Sequence, residues 1–402
     1  MNVCPRSLRS DADLGAASTI DPTIGDIAAS SRWATRSQFF FSGFIFATWG
    51  VHVPTVKAHY GIDEAQLGFA MLAAGFGALA GLSQAGRLIG RYGTRSVGAL
   101  CGCIYALLLA GLLAMPGYVS LLVLLAGFGL VTSVFDVAIN TEAAQLELRS
   151  GAPLMSGMHG MFSLGGMAGA VSGSAALAAG LAPQWHLIGV AIAMALGVGL
   201  SAIWMSARTQ ATNALPGSGF RLPHGALVVL GVLAALGLIA EGAIYDWSVL
   251  YLQQELGSPQ QQAALAYASF SGAMAAARFG GDAMRARFAP AVLLRWSALL
   301  AAASMALVLI TELPWLALIG FAGVGVGFAN VVPILFSASA RVPGVEPARG
   351  IAAVSAAAYL GFMAGPPVIG LLARLGSLTA ALYVVVVFAV ALAASARYAN
   401  SR

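Results

Sequence analysis

The chain has 402 residues, of which 59% are hydrophobic and only 9% charged, whereas an ordinary soluble domain carries about a quarter of its residues as charges. In water such a chain would present apolar surface far beyond what one core can bury, so its solvent is lipid. The formal charge of +5 does not indicate nucleic acid, because the basic residues are scattered between apolar runs and are not gathered on one face.

In chain order, residues 1–35 are polar, mixed in charge and without the apolar core of a signal peptide, which predicts a disordered cytoplasmic tail. Twelve apolar runs follow, near 38–56, 66–85, 97–115, 118–140, 155–179, 185–205, 225–252, 261–281, 291–311, 314–338, 350–373 and 376–398. Each is about a membrane thickness long as a helix, and a helix satisfies its own backbone polar groups in hydrocarbon. The predicted fold class is an all-α membrane protein of twelve transmembrane helices. The stretch 207–223, with Arg208, Arg221, two prolines and small polar residues, reads as a cytoplasmic linker between two six-helix halves, 36–206 and 224–402.

The basic residues are nineteen arginines and Lys57. With the tail inside, all but Lys57 and Arg374 fall on the cytoplasmic side, which predicts that both termini are cytoplasmic. The arginine bias beside abundant Ala and Gly points to a GC-rich bacterial genome. Cys4 lies in the tail, and Cys101 and Cys103 lie in one apolar run without partner ligands, so no disulfide framework and no metal site is predicted.

Two internal matches share one displacement. Leu164-Gly165-Gly166-Met167-Ala168-Gly169 recurs as Leu360-Gly361-Phe362-Met363-Ala364-Gly365, and Ala126-Gly127-Phe128-Gly129 recurs as Ala322-Gly323-Val324-Gly325, each 196 residues on. The halves therefore read as copies of one six-helix unit. Parallel six-helix repeats related by an axis along the membrane normal are the plan of major facilitator transporters. The loop Gly86-Arg87-Leu88-Ile89-Gly90-Arg91-Tyr92-Gly93-Thr94-Arg95 resembles that superfamily's loop signature, with Gly90 where the signature has aspartate. Its second-half counterpart falls at the charged group Arg278, Asp282, Arg285 and Arg287, where the aspartate is shifted. Asp136-Val137-Ala138-Ile139-Asn140, His159-Gly160-Met161-Phe162-Ser163-Leu164-Gly165 and Glu241-Gly242-Ala243-Ile244-Tyr245-Asp246-Trp247-Ser248 resemble the MosC-like branch. The resemblance implies a multi-pass bacterial inner-membrane transporter of a small molecule, sugar-like or inositol-like. It also implies gating roles for Gly86, Arg91, Gly93, Arg95, Arg278 and Asp282.

Ionisable groups inside membrane spans cost about 2.5–3.5 kcal/mol on insertion scales and by default mark function. Asp136, His159 and Glu241 are the proton-coupling candidates. Thr132, Asp136 and Asn140, four apart, form one polar stripe on the fourth span. Asp136 and His159 fall at comparable depth on neighbouring spans, either as a proton-binding pair or with His159 and Ser163 as interhelical glue. On the seventh span, Tyr245 shares a face with Glu241, and Asp246 is either an outer gate or a helix-end cap at the interface. The substrate-binding candidates are Trp49, Asn140, Tyr245, Asp246 and Asn330. Trp49 with His52 stacks on a ring-shaped solute or anchors the interface, and Asn330, just before Pro333, marks a kink toward the cavity. Gly165, Gly169 and Gly173 form a small-residue packing ridge. Arg278 and Asp282, four apart, are placed for an intrahelical ion pair.

No phosphate-binding loop or nucleophile elbow is present and every connection but one is short, which excludes an ATP-driven pump and argues against an enzyme. No cofactor is expected. The expected partners are the lipid bilayer, a small-molecule substrate and protons as coupling ion, with one chain sufficient as a monomer. Proton-driven export of a drug or metabolite and a non-transporting sensor remain as alternatives. Fifth-span proline, part of a signature of antiporter branches, is missing, while Pro366 and Pro367 stand in the eleventh.

Overall fold

The computed structural model describes residues 22–151, 154–205 and 225–400. Among them the regular structure is helical, with no strand. Among the described residues nine helices are long and apolar enough to cross a membrane. One of these, Glu64–Leu108, turns at Gly93 (φ 82°, ψ 158°) and carries both the second and third spans. The positive φ is cheap only for glycine. Gln260–Phe279 and Leu378–Ala394 bring the spans to twelve. The remaining spans, in order, are Pro22–Tyr60, Tyr118–Ser150, Met155–Ala178, Pro183–Ala202, Ala226–Gln254, Pro290–Ile310, the tenth in two pieces, and Pro347–Leu375. Linker residues 207–223 and tail residues 1–21 lie outside the described residues.

Local chemistry sets the ends. Asp63 and Gln66 cap the second span reciprocally, at 2.8 and 3.0 Å. Prolines open the sixth, ninth and eleventh spans, where a missing N–H costs nothing. Gly151, at φ 65°, closes the fourth. The first span starts earlier than its hydropathy predicts, so residues 22–35 are helical and not tail. Ser31 Oγ donates to Trp204 O (3.0 Å) and Gln38 Nε2 to Val198 O (3.0 Å), so this polar start is held against the sixth span. The tenth span breaks between Pro314–Phe328 and Val331–Ser339, around Asn330 and just ahead of Pro333.

The halves pack alike. The second span lies on the fourth and the first on the fifth; in the other half the eighth lies on the tenth and the seventh on the eleventh. Close approach occurs at matched positions. A Cβ on Gly129 would strike the backbone of Ala74, and one on Gly325 the backbone of Phe270. Both partners of the first pair reappear 196 residues later in the second. Across the molecular centre the fifth span packs on the eighth and the second on the eleventh. Large apolar side chains such as Val119, Leu196, Ile310 and Val387 remain exposed, as lipid-facing surfaces require.

Candidate functional site

Between the halves lies a cavity with two lobes. The larger, about 500 Å³, is walled by Phe39, His159, Glu241, Tyr245 and Arg278 among others, and reaches the arginine-rich end of the bundle past Met155, Ser156 and Arg285. The smaller, about 210 Å³, lies among the first, second, fourth, seventh and eleventh spans. Phe46, Thr132, Asp136, Tyr359 and Phe362 belong to both walls, so the lobes adjoin.

In the larger lobe Glu241 and Arg278 answer each other's charge. Arg278 Nη2 donates to Glu241 Oε1 at 3.0 Å, and Arg278 Nη1 donates to Ser163 Oγ at 2.8 Å. The two ionic side chains are 13% and 12% exposed. Taking either charge out of water without the other would be costly, so the pair is a condition for having both there. Ser163 belongs to the other half, and the arginine therefore spans the seam between the halves. Arg278 makes this pair with Glu241; the Asp282 side chain, its expected intrahelical partner, lies outside the described residues.

Asp136 accepts from Asn140 Nδ2 at 3.0 Å. The same amide also donates to Asp136 O at 2.9 Å, so the polar stripe of the fourth span is stitched to itself. Asn140 does not line either lobe. His159 and Asp136 share the wall of the larger lobe but not a hydrogen bond among the described residues; the imidazole meets Phe39 edge-on, with ring centroids 5.4 Å apart. Ser163 accepts from Arg278 as well as donating to His159 O (3.3 Å), which makes it more than interhelical glue.

At the opposite end the halves are joined. Gln260 Nε2 donates to Thr55 Oγ1 (2.8 Å) and Val51 O (3.0 Å), and Ser174 Oγ donates to Gln261 O (2.6 Å). Gln254 Nε2 reaches Glu64 Oε1 at 3.2 Å, and Arg374 Nε lies 3.4 Å from Asp63 Oδ2. Between these contacts and the cavity, Tyr245 stacks with Phe46, Tyr267 and Phe270 at centroid distances of 5.0–5.6 Å. The cavity is thus shut by an aromatic layer and a polar seam at one end and accessible from the other.

Other candidates resolve individually. Trp49 lines the smaller lobe and is 4% exposed, and Asp246, at 6%, lines it too, which removes the interfacial anchor and helix-end readings for this pair. Tyr245 lines the larger lobe. Asn330 sits at the expected break, but its Oδ1 faces Gly281 and the side chain lines neither lobe; Val332 and Pro333 take that place. In the loop, Gly86 is exposed without close neighbours, the Arg91 guanidinium lies over the Tyr92 ring (5.2 Å), and Gly93 makes the turn. Arg95 is half-buried.

Some of the polar framework had no signal in the sequence. Thr94 Oγ1 donates to Glu142 Oε2 at 2.7 Å, and Arg149 Nη2 lies 3.5 Å from Glu142 Oε1, so the loop after the second span is moored to a fully buried carboxylate. His52 Nε2 and His186 Nδ1 are 2.9 Å apart, with His186 Nε2 3.3 Å from Ser172 Oγ. His52 is fully buried, not interfacial. The run length of the first span misled here, because the helix continues to Tyr60.

The profile of the Major Facilitator Superfamily matches residues 37–345. An uncharacterized MFS-type transporter of Yersinia pestis is 33% identical over 375 residues, covering 92% of this chain and 95% of that one. Membrane protein MosC of Rhizobium meliloti is 30% identical over 365 residues, 90% of this chain and 88% of MosC. Among solved structures, a D-xylose–proton symporter superposes with a TM-score of 0.72 at 14% identity, covering 92% and 97% of the two chains. That likeness concerns the fold. The profile match and the two relatives place this chain in the Major Facilitator Superfamily: it is a membrane transport protein and not an enzyme.

Proposed function

We propose that the chain is a secondary active carrier of a small solute in the bacterial inner membrane, working by alternating access with protons as coupling ion and as a monomer. Both termini are cytoplasmic in this reading, so the described state is the inward-facing one. The observation that carries it is the Glu241–Arg278–Ser163 bridge at the seam of the halves, beside Asp136 in the same wall. A proton or solute that competes for Glu241 frees Arg278 and with it the seam, which links occupancy to the rocking of one half against the other. Arg91, Gly93 and Arg95, moored through Thr94 and Glu142, serve as the hinge side of that motion, and Gly86 leaves the second span free to slide.

The solute for the larger lobe is polar, sugar-like or inositol-like, held by Glu241, Tyr245 and His159. The smaller lobe favours a second reading, export of an amphiphilic metabolite, because its wall is apolar apart from Thr132, Ser133, Asp136, Asp246 and the Tyr359 and Trp49 polar tips. Uptake of radiolabelled inositol or xylose into proteoliposomes under an imposed pH gradient tests the first. Uptake that follows the gradient and collapses in Glu241→Gln supports it; uptake indifferent to the gradient overturns proton coupling, and accumulation only of amphiphiles in inverted vesicles selects the exporter.

A further inference from the structure

Glu241 and Asp246 are five residues apart on one helix, yet only Glu241 meets a cation. Asp246 is 6% exposed and has no hydrogen bond or ion pair among the described residues. It lines the smaller lobe together with Asp136, whose described side-chain partner is the neutral amide of Asn140. No wall residue of that lobe is Lys, Arg or His. Two carboxylates thus border a small chamber whose own wall carries no protein cation, and although Asp136 also borders the larger lobe with its Arg278 and Arg285, Asp246 does not, a situation that membrane proteins rarely sustain without a ligand or proton.

The rest of the wall says what kind of cation suits it. Phe46, Trp49, Phe128, Tyr359 and Phe362 bring aromatic rings, which attract an ammonium through their electron-rich faces. Met71, Leu79, Leu125 and Met363 supply apolar surface for a carbon body. A bare sodium ion would gain nothing from the aromatic and apolar side chains that make up most of the wall. We infer that the smaller lobe is a binding site for an organic ammonium ion with an apolar or ring-shaped body, its charged head between Asp136 and Asp246. The carboxylates come from different halves, so one bound cation touches both bodies that must move. This names a substrate class for the carrier proposed above and rests on that reading only for the claim that the bound cation is cargo.

The test uses the full-length protein purified in detergent and two probes of equal shape, cyclohexylmethylammonium and neutral cyclohexylmethanol, titrated by calorimetry at neutral pH. The ammonium is expected to bind at least about tenfold tighter than the alcohol, and its affinity to fall about thirtyfold in Asp246→Asn. Asp246→Glu should keep a preference for the ammonium, while the alcohol should respond to neither substitution. A monodisperse gel-filtration profile with an unchanged melting transition or a higher one shows that Asp246→Asn is folded. Equal binding of the two probes, an ammonium affinity untouched by Asp246→Asn, or displacement of the ammonium by millimolar sodium would each overturn the assignment. Counterflow in proteoliposomes separates the two proposals: polyol exchange without ammonium binding refutes the cation site and spares the carrier, and ammonium binding without exchange of any solute does the reverse.

Discussion

The two lobes of the cavity treat buried carboxylates in opposite ways. In the larger, Glu241 is matched by Arg278 at 3.0 Å and the arginine is matched again by Ser163 across the seam. In the smaller, Asp246 has no counterpart, although it is carried by the same helix little more than one turn further on. A helix turns its face by about 100° per residue, so residues five apart look toward different neighbours, and the eighth span supplies a cation to only one of them. What differs is therefore the company of each carboxylate and not its chemistry. Glu241 has its partner when the cavity is empty, whereas Asp246 gains one only when something fills its lobe.

Breaking the matched side should give the largest effect. Arg278→Ala strands Glu241 in a 12%-exposed site, with an expected loss of about 3–5 kcal/mol and a sharply lower melting temperature in detergent. Arg278→Met with Glu241→Gln removes both charges and should recover most of that stability while abolishing gradient-driven uptake. A double variant as unstable as Arg278→Ala would mean that the pair holds the fold by more than charge balance.

The unmatched side should respond with the opposite sign. Asp246→Asn removes a charge that has no partner, so the melting temperature of the empty protein is expected to rise, by an amount corresponding to about 1 kcal/mol or more. A fall would show that Asp246 is satisfied in the empty state and that the contrast between the lobes is false.

Smaller effects lie at the closed end. Gln260→Ala removes three hydrogen-bond contacts between the halves, two with Thr55 and one with Val51, each contributing about 0.5–1.5 kcal/mol. It should shift the population toward the state open at that end, read as faster maleimide labelling of a cysteine placed at Ala264, which is buried one turn beyond Gln260. Arg374→Ala, whose ion pair with Asp63 is 62% and 37% exposed, should change stability by less than about 1 kcal/mol and labelling hardly at all. Labelling that rises as much for Arg374→Ala as for Gln260→Ala would place the lock in the exposed ion pair instead.

The membrane setting, the number of spans and the two-half plan were legible because each follows from local composition. A run of about twenty apolar residues must be a helix in hydrocarbon, and glycines displaced by 196 residues reappear as the matched approaches Gly129 on Ala74 and Gly325 on Phe270. The sequence also singled out Asp136, His159, Glu241, Tyr245 and Asp246, since an ionisable or polar group is conspicuous in an apolar run, and all five line the cavity. Run boundaries were less telling, as the helical stretch 22–35 and the buried His52 show: an element continues where neighbouring spans satisfy its polar groups, whatever its own hydropathy.

Partnership was decided by the tertiary structure alone. Arg278 pairs with a residue 37 positions away and His52 with one 134 away, and neither separation has any period to betray it. Local spacing offered the cavity to Asn330 and gave no hint of Glu241 for Arg278, but the rotation of each helix about its axis is fixed by packing against its neighbours, and that rotation brought Arg278 to Glu241 and turned Asn330 to Gly281. The sequence thus determined which charges would enter the membrane. Only the arrangement of the twelve spans determined which of them would be left there without a partner, because that depends on distances between helices that no single helix encodes.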